Sequence, residues 1–413
     1  VKRLDRKRLE ALQKVLGISQ ALARDIEIAS EIRLETLKTA KPTEVGKLES
    51  AYSGKTVLRA LFNHLDGLAH IMRFVAGEYA QELGVQISEE ERAALLELRS
   101  TKDGKPPQPR LHPLEHLKHA LQIFPALFGI EHELDLSADS AKAFLALMDI
   151  RNKMVHPTML EHLSGADIHP YWISGSSWYL AQVDNFFAHC AQQIPDSGLT
   201  FPEPASLADQ PTAEGGAVNA TGADKPVKSL RMREHAERSI ELLVGDTSRA
   251  MGVSTRMAGK DDLQAMYGQF GMRNLARTIF AEAEVTLAIT TYVLSESPER
   301  SGLAMTDQDV EDLRGSFDLD QRLLEAINLW STELGEQKEK ATGGKKWDFF
   351  RQGLRLRDRL TYPKATKELR ITLDDASVIL GSQDWLRELS ILLLIDPEKW
   401  AKAFPAPAPV PEE

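Results

Sequence analysis

Two short segments of this chain hold residue types suited to chemistry on a phosphate: Arg151-Asn-Lys-Met-Val-His-Pro157 and Arg357-Asp-Arg-Leu-Thr-Tyr-Pro363. An arginine keeps its charge at any cellular pH and offers a planar fork of donors to an oxyanion. A histidine titrates near pH ~6.5 and can both accept and return a proton. Arg151 with His156 is therefore a candidate pairing of a fixed cation with an acid-base group, supported by the polar Asn152. The second segment keeps Arg357 and the polar Asp358 but has Tyr362 in place of the histidine. A phenol titrates near pH ~10, so it positions groups through its hydroxyl and does not readily exchange protons at neutral pH.

The element that carries the first segment reads as a helix with Phe144, Leu147, Met148 and Ile150 on its apolar contacts. Pro157 limits that helix and pushes the preceding residue out of the α region, which puts His156 at the helix end. At about 100° per residue Arg151 and His156 would stand roughly 140° apart on an ideal helix, so distortion of the last turn matters for bringing them together. The negative end of the helix dipole favours the imidazolium form there. The alternative is structural: Arg151 pairs with an acid such as Asp66, and His156 caps a helix.

The two segments belong to a longer internal match. The offset between 151 and 357 also places Leu117, Ala120, Leu121, Ile123 and Phe124 on Leu323, Ala326, Ile327, Leu329 and Trp330, and Ile173-Ser-Gly-Ser176 on Ile379-Leu-Gly-Ser382. Further upstream, after a gap, Arg59, Phe62 and Asp66 correspond to Arg277, Phe280 and Glu284. A unit that occurs twice needs two cores, and 413 residues are ample for two. Apolar positions recur at helical spacing in Leu9, Leu12, Val15 and Leu16 and in Val57, Leu58, Leu61, Leu65 and Leu68, with further helical windows at 89–98, 114–124, 138–155 and 177–192. Antiparallel helices with short connections are the expected packing. Only Glu368-Leu-Arg-Ile-Thr-Leu reads as a short extended piece. The boundaries expected are a helical domain over 1–194, a Pro/Gly/Ala-rich flexible linker over 195–228, a second helical domain over 229–403 and a Pro-rich disordered tail over 404–413.

The R-x-x-x-x-H pattern of Arg151 and His156, with a polar second residue, in a helical bundle resembles the signature of the HEPN superfamily. The resemblance covers most of both halves as a fold pattern, but only six residues of each are motif-like. It implies an all-α protein of two tandem HEPN-like bundles forming an intramolecular pseudo-dimer. In ribonuclease members two such domains face each other across a composite site that cuts RNA without metal. By that resemblance Arg151, His156 and Arg357 are the catalytic candidates, and Asn152, Asp358 and Tyr362 support them. Tyr362 departs from the pattern. The expected activity is metal-independent endoribonucleolytic cleavage leaving a 2′,3′-cyclic phosphate, with no cofactor. The implied setting is a toxin or antiviral defence effector whose partners are RNA and a regulatory or antitoxin protein. The rivals are a non-catalytic RNA-binding or scaffolding module and a regulator that binds a small nucleotide.

Composition frames these readings. A net charge of −11 argues against indiscriminate nucleic-acid binding, because counterion release needs local cations. Such a place exists at 345–370, where nine basic residues face three acidic ones, and Arg351, Arg355 and Arg359 recur every four residues with Lys364 beyond them. These four are the RNA-binding candidates, against the ordinary alternative of a solvated face. Cys190 is the single cysteine, which leaves no intramolecular disulfide and suits a reducing, cytoplasmic setting. Residues 1–16 interleave charges with leucines and carry no secretory apolar stretch, and no apolar run is long enough to span a membrane. Three further strings have bland readings. Ser53-Gly-Lys-Thr56 ends like a P-loop, but Glu49 stands where the leading glycine is required. His112, His116 and His119 share a helical face that reads as solvated in preference to metal-binding, and Gly343-Gly-Lys-Lys346 reads as a loop.

Overall fold

The computed structural model describes residues 2–41, 43–87, 113–132, 134, 136–137, 139–155, 168, 171–195, 197–199, 245–247, 249–250, 262–296, 319–329 and 342–394. The protein is all-α: among the described residues there are helices, turns and connecting segments and no strand. Residues 200–228 of the linker expected at 195–228, the Pro-rich tail, the window at 89–98, His112 and His156 lie outside the described residues.

In chain order the first part gives α1 (Lys2–Thr39), α2 (Glu44–Tyr79), α3 (Pro113–Ala126), α4 (Asp139–Val155) and α5 (Trp172–Gln192). The second gives α6 (Asp262–Glu296), α7 (Leu319–Leu329), α8 (Gly344–Thr361), a 3-10 turn (Thr366–Leu369) and α9 (Leu373–Leu394). α2 begins where the Thr43 hydroxyl accepts the Gly46 N–H at 3.2 Å, a side-chain cap of the usual kind. It runs through Ser53-Gly-Lys-Thr56 without a break, so that string is helix and not a phosphate-cradling loop. α3 ends just past Pro125, and its stripe of Leu117, Ala120, Leu121 and Phe124 is buried, as its spacing predicts.

The extended piece expected at 368–373 is shorter than the sequence suggests: Leu369 ends a 3-10 turn, Arg370 is extended at φ −78° and ψ 131°, and Leu373 already begins α9. Two side chains do what a neighbouring strand would have done. Glu368 accepts the Lys364 N–H at 2.7 Å and closes the turn, while the Gln269 amide takes the Ile371 N–H at 2.6 Å and donates to the Ile371 carbonyl at 2.9 Å. Backbone groups need partners when buried, and a side-chain amide satisfies them as well as a strand does.

The described residues form two hydrophobic cores. One is built from α1 to α5, around Phe62, Phe124, Phe144, Trp178 and Phe186; the other from α6 to α9, around Phe280, Phe350 and Trp385. Positions matched in the sequence make matched contacts. Phe144 stacks on Tyr179 at 5.2 Å, and its counterpart Phe350 lies 4.3 Å from Trp385. The Ser176 and Ser382 hydroxyls each bond the carbonyl four residues back. Beside Ser176, Gly175 lets α5 close on α4, since a Cβ there would stand 3.0 Å from the Phe144 nitrogen.

Each core borrows from the other. Tyr52 of α2 packs in the second core, and Phe270 of α6 packs in the first. Asp25 of α1, 1% exposed, receives Arg273 through two bonds, with Nε at 3.1 Å, and Arg277 through two more at 3.3 Å. Asp246 receives Lys55 at 2.8 Å and lies 3.7 Å from Arg59. Lys55 and Arg59 on α2 stand at the same offset from Arg273 and Arg277 on α6, so each helix sends a pair of cations, one turn apart, to a carboxylate of the other part. Tyr52 Oη and Asn274 are joined at 3.0 Å alongside.

Breaking a buried ion pair from one side leaves charges stranded in a poor solvent, at a cost of about 3–5 kcal/mol. Asp25→Asn should lose about that much in urea denaturation; a loss below ~1 kcal/mol would mean that water reaches the cluster. A second prediction concerns Glu282, fully buried and bonded by the Thr247 hydroxyl. Burial, aided by Asp246, pushes its carboxyl from the usual 4.5 up to about 7 against the opposing pull of Thr247 and Arg59. With the folded value raised, the contribution to stability is complete below pH ~4.5 and disappears as pH rises through ~7. Glu282→Gln should therefore gain on the wild type across that window in pH-dependent thermal melts. Parallel curves for the two proteins would count against it.

Candidate functional site

α4 and α8 each deliver their motif arginine in the last turn or so before the helix ends. The two are held alike on one side. The Arg151 guanidinium lies 6.0 Å from the Phe62 ring centre and its Nη1 donates to Asn152 Oδ1 at 3.2 Å; the Arg357 guanidinium lies 5.8 Å from Phe280 and its Nη2 donates to Asp358 Oδ1 at 3.2 Å. Both arrangements are cation-π seats with a sequence neighbour as clamp.

On the other side they differ. Arg357 Nη1 also reaches Glu284 at 3.3 Å, and Arg322 stands 3.7 Å from the same carboxylate. Burial works against the Arg357 charge, but Asp358 and then Glu284 outweigh it and hold the guanidinium above its ordinary value. Arg151 is clamped by a neutral amide, and among the described residues no carboxylate lies within ion-pair distance of it. Its charge is thus the less compensated of the two.

Tyr362 closes α8: its N–H bonds the Asp358 carbonyl at 2.8 Å and its backbone, at φ −122° and ψ 60°, has left the α region ahead of Pro363. This is the helix end that the proline in each motif predicts, seen here in the second copy. The Tyr362 ring lies 5.2 Å from the ring of His70 on α2. Gly67, on the same helix, leaves room for the turn, since a Cβ there would stand 3.3 Å from the Thr361 carbonyl oxygen.

Phe62, Asp66 and His70 occupy successive turns of α2, with Arg151 over the first and Tyr362 against the last. At 1.5 Å per residue those contacts are about 12 Å apart along the helix axis. Parts of both motifs therefore meet on α2, whereas Arg357 rests on α6. Of the basic stripe, Arg351 and Arg355 are exposed, Arg351 lying 3.6 Å from Asp320. Arg359 is turned to structure, donating to Asp375 at 2.8 Å and to the Arg370 carbonyl. Lys364 is exposed, with its ammonium 4.9 Å from the Phe74 ring centre.

Another polar group sits deeper. The buried His64 joins Ser19 Oγ at 3.1 Å and Tyr179 Oη at 2.8 Å beside a cavity of about 300 Å³ lined by Leu16, Ala23, Val183 and Asp184 among others. Burial pushes His64 down to about 4, so it is a weak proton acceptor for a serine, and the trio ties α1, α2 and α5 together. Among the described residues no three His, Cys, Asp or Glu side chains are grouped to hold a metal, and no helix is long and apolar enough to cross a membrane.

Sequence reading passed over His70, Arg73 and the aspartates at 25 and 246. Arg59 and Arg277 were visible as a matched pair, but their partners lie far along the chain and carry no local signal. What the fold and site define is an all-helical protein with two cores and a repeated arginine seat. Comparison with protein-family models, curated proteins and solved structures finds no match.

The unequal surroundings of the two arginines yield a prediction. Arg357→Ala would leave Glu284 and Asp358 facing each other and should cost about 2 kcal/mol in chemical denaturation, after allowance for partial solvent access. Arg151→Ala should cost under ~1 kcal/mol. Equal losses would show that Arg151 is as deeply committed to structure as Arg357.

Proposed function

We propose that the protein is a metal-independent endoribonuclease built from two HEPN-like bundles that pair within one chain. The observation that carries this reading is the repeated arginine seat: Arg151 over Phe62 and Arg357 over Phe280, each clamped at 3.2 Å by the next residue. Two cations held alike, one in each bundle, suit a phosphate lying between paired domains. The exchange of Tyr52 and Phe270 between cores supports the pairing.

In the proposed reaction His156 takes the proton of an RNA 2′-hydroxyl as that oxygen attacks the adjacent phosphate, and the imidazolium then returns a proton to the departing 5′-oxygen. Arg151 stabilises the charge that develops on the phosphorane, and Asn152 keeps its fork aimed. Arg357 contributes as a second cation, and the phosphate must draw it from Glu284 and Asp358. The products are a 2′,3′-cyclic phosphate and a free 5′-hydroxyl. No metal is required when a permanent cation and an acid-base group already flank the phosphate. A toxin or defence role, with an antitoxin or other regulatory partner, is the biological setting that goes with this chemistry.

The carboxylates around Arg357 favour one alternative for the second motif, a binding and positioning unit without chemistry of its own. The test separates the roles. In excess chelator, wild-type protein should cleave single-stranded RNA to cyclic-phosphate ends, and His156→Ala should lose about 10²- to 10⁴-fold in rate while still binding RNA. Tyr362→Phe should change the rate only mildly, and Arg357→Ala should lower it substantially. Cleavage by His156→Ala at the wild-type rate would sink the mechanism, and undiminished cleavage by Arg357→Ala would confine the chemistry to the first bundle.

A further inference from the structure

One turn beyond the Tyr362 contact, α2 enters a group of basic side chains that form no ion pair with a carboxylate among the described residues. Arg73 Nη1 lies 3.5 Å from Nε2 of His116 on α3, and Arg73 Nε is buried without a hydrogen-bond partner. His70 is 3% exposed, and neither of its ring nitrogens has a partner. Lys364 comes in from the turn after α8 and lies over Phe74. Three elements from both parts of the chain thus bring His70, Arg73, His116 and Lys364 together.

Three carboxylates near this group in sequence are engaged elsewhere. Glu78 holds Lys14, Glu115 holds Lys118 at 3.0 Å, and Glu368 accepts the Lys364 backbone N–H. Lys55, Arg273, Arg277 and Arg357 meet carboxylates, whereas the buried Arg33 is held by the Ser50 carbonyl and the Ser53 hydroxyl. Without an anion the cluster is tolerable only with neutral imidazoles. Burial, and then Arg73, hold His116 down to about 4, while burial followed by Lys364 and Arg73 holds His70 down to about 3. An oxyanion placed at Arg73 and Lys364 would accept charge-assisted bonds from both and make a protonated His116 a third donor.

We propose that Arg73, His116 and Lys364 form a phosphate-binding site that holds a phosphodiester of the RNA strand beside Tyr362, with His70 as its buried floor. The assignment to RNA rests on the function proposed above; the affinity for phosphate does not. The strand then runs along α2 from this site toward Arg151, two to three helical turns away.

The experiment measures binding of a labelled 2′-O-methyl oligoribonucleotide, which lacks the attacking hydroxyl, by fluorescence anisotropy across a salt series. Arg73→Gln and Lys364→Gln should each weaken binding roughly tenfold. Each should also reduce the slope of log Kd against log salt by about 0.7. Lys118→Gln, on the same α3 but outside the cluster, should change neither. Retained helical circular dichroism and cooperative melting show that the variants fold. Unaltered affinity and slope in a folded Arg73→Gln/Lys364→Gln double variant would overturn the site. A parallel arm uses inorganic pyrophosphate: a raised melting temperature in wild type and not in the double variant, with no oligonucleotide binding, would keep the site and assign it to a free phosphate ligand. Patch-dependent binding without cleavage of ordinary RNA would uphold the site and remove the nuclease. Cleavage with patch-independent binding would do the reverse.

Discussion

A carboxylate that stays ionised out of water must be met by cations with good hydrogen-bond geometry, and two aspartates among the described residues meet that condition. Asp25 is met by Arg273 and Arg277, and Asp246 by Lys55, with Arg59 close by. These contacts fix α1 against α6 and α2 against the segment that carries Asp246, and other features follow from that placement. Tyr52 and Phe270 can cross into each other's core, the end of α8 can settle against Gly67, and Tyr362 can reach His70. Ion pairs of this kind add little net stability over an apolar contact of the same shape, but they are unforgiving of the wrong partner. Their role here is to specify one mutual arrangement of two cores that hydrophobic burial alone would let slide.

Within that arrangement the two motif arginines have diverged in their surroundings. Replacement of Asn152 by Asp358 and of Asp66 by Glu284 at matched positions changes an amide clamp into an acidic one and lengthens a nearby acid by one methylene. Those changes suffice to draw Arg357 into a local network with Arg322, while Arg151 keeps a neutral clamp. Tyr362 completes the contrast. Its ring adds an aromatic contact between the second motif and α2, a task for which a titrating side chain has no advantage.

Much of the fold was legible because helices advertise themselves locally. The spacing of Leu117, Ala120, Leu121 and Phe124 predicts their common burial, and Pro363 predicts where α8 stops. The internal match paired Phe62 with Phe280, and the structure shows these two rings to be the seats of the arginines. Properties that depend on contact at a distance were not legible. The sequence sets Ser53-Gly-Lys-Thr56 aside as a phosphate loop because of Glu49, but carries no sign that Lys55 belongs to Asp246. The stretch after Glu368 has strand-like residues, but Gln269, far away in the sequence, supplies the bonds a strand would need. His70 is one more apolar-face position on an amphipathic helix until its neighbours are known.

The reciprocal carboxylates also set a schedule for the nascent chain. Arg273 leaves the ribosome 248 residues after Asp25, which at ~5–20 residues per second is a delay on the order of 10–50 s. For most of that interval the first core lacks Phe270 and carries an aspartate and two α2 cations whose counter-charges have yet to be made. The first bundle therefore reaches its full set of contacts only after α6 has been made. A chaperone or protease meets its best opportunity in that window, before the second bundle has arrived to seal the first.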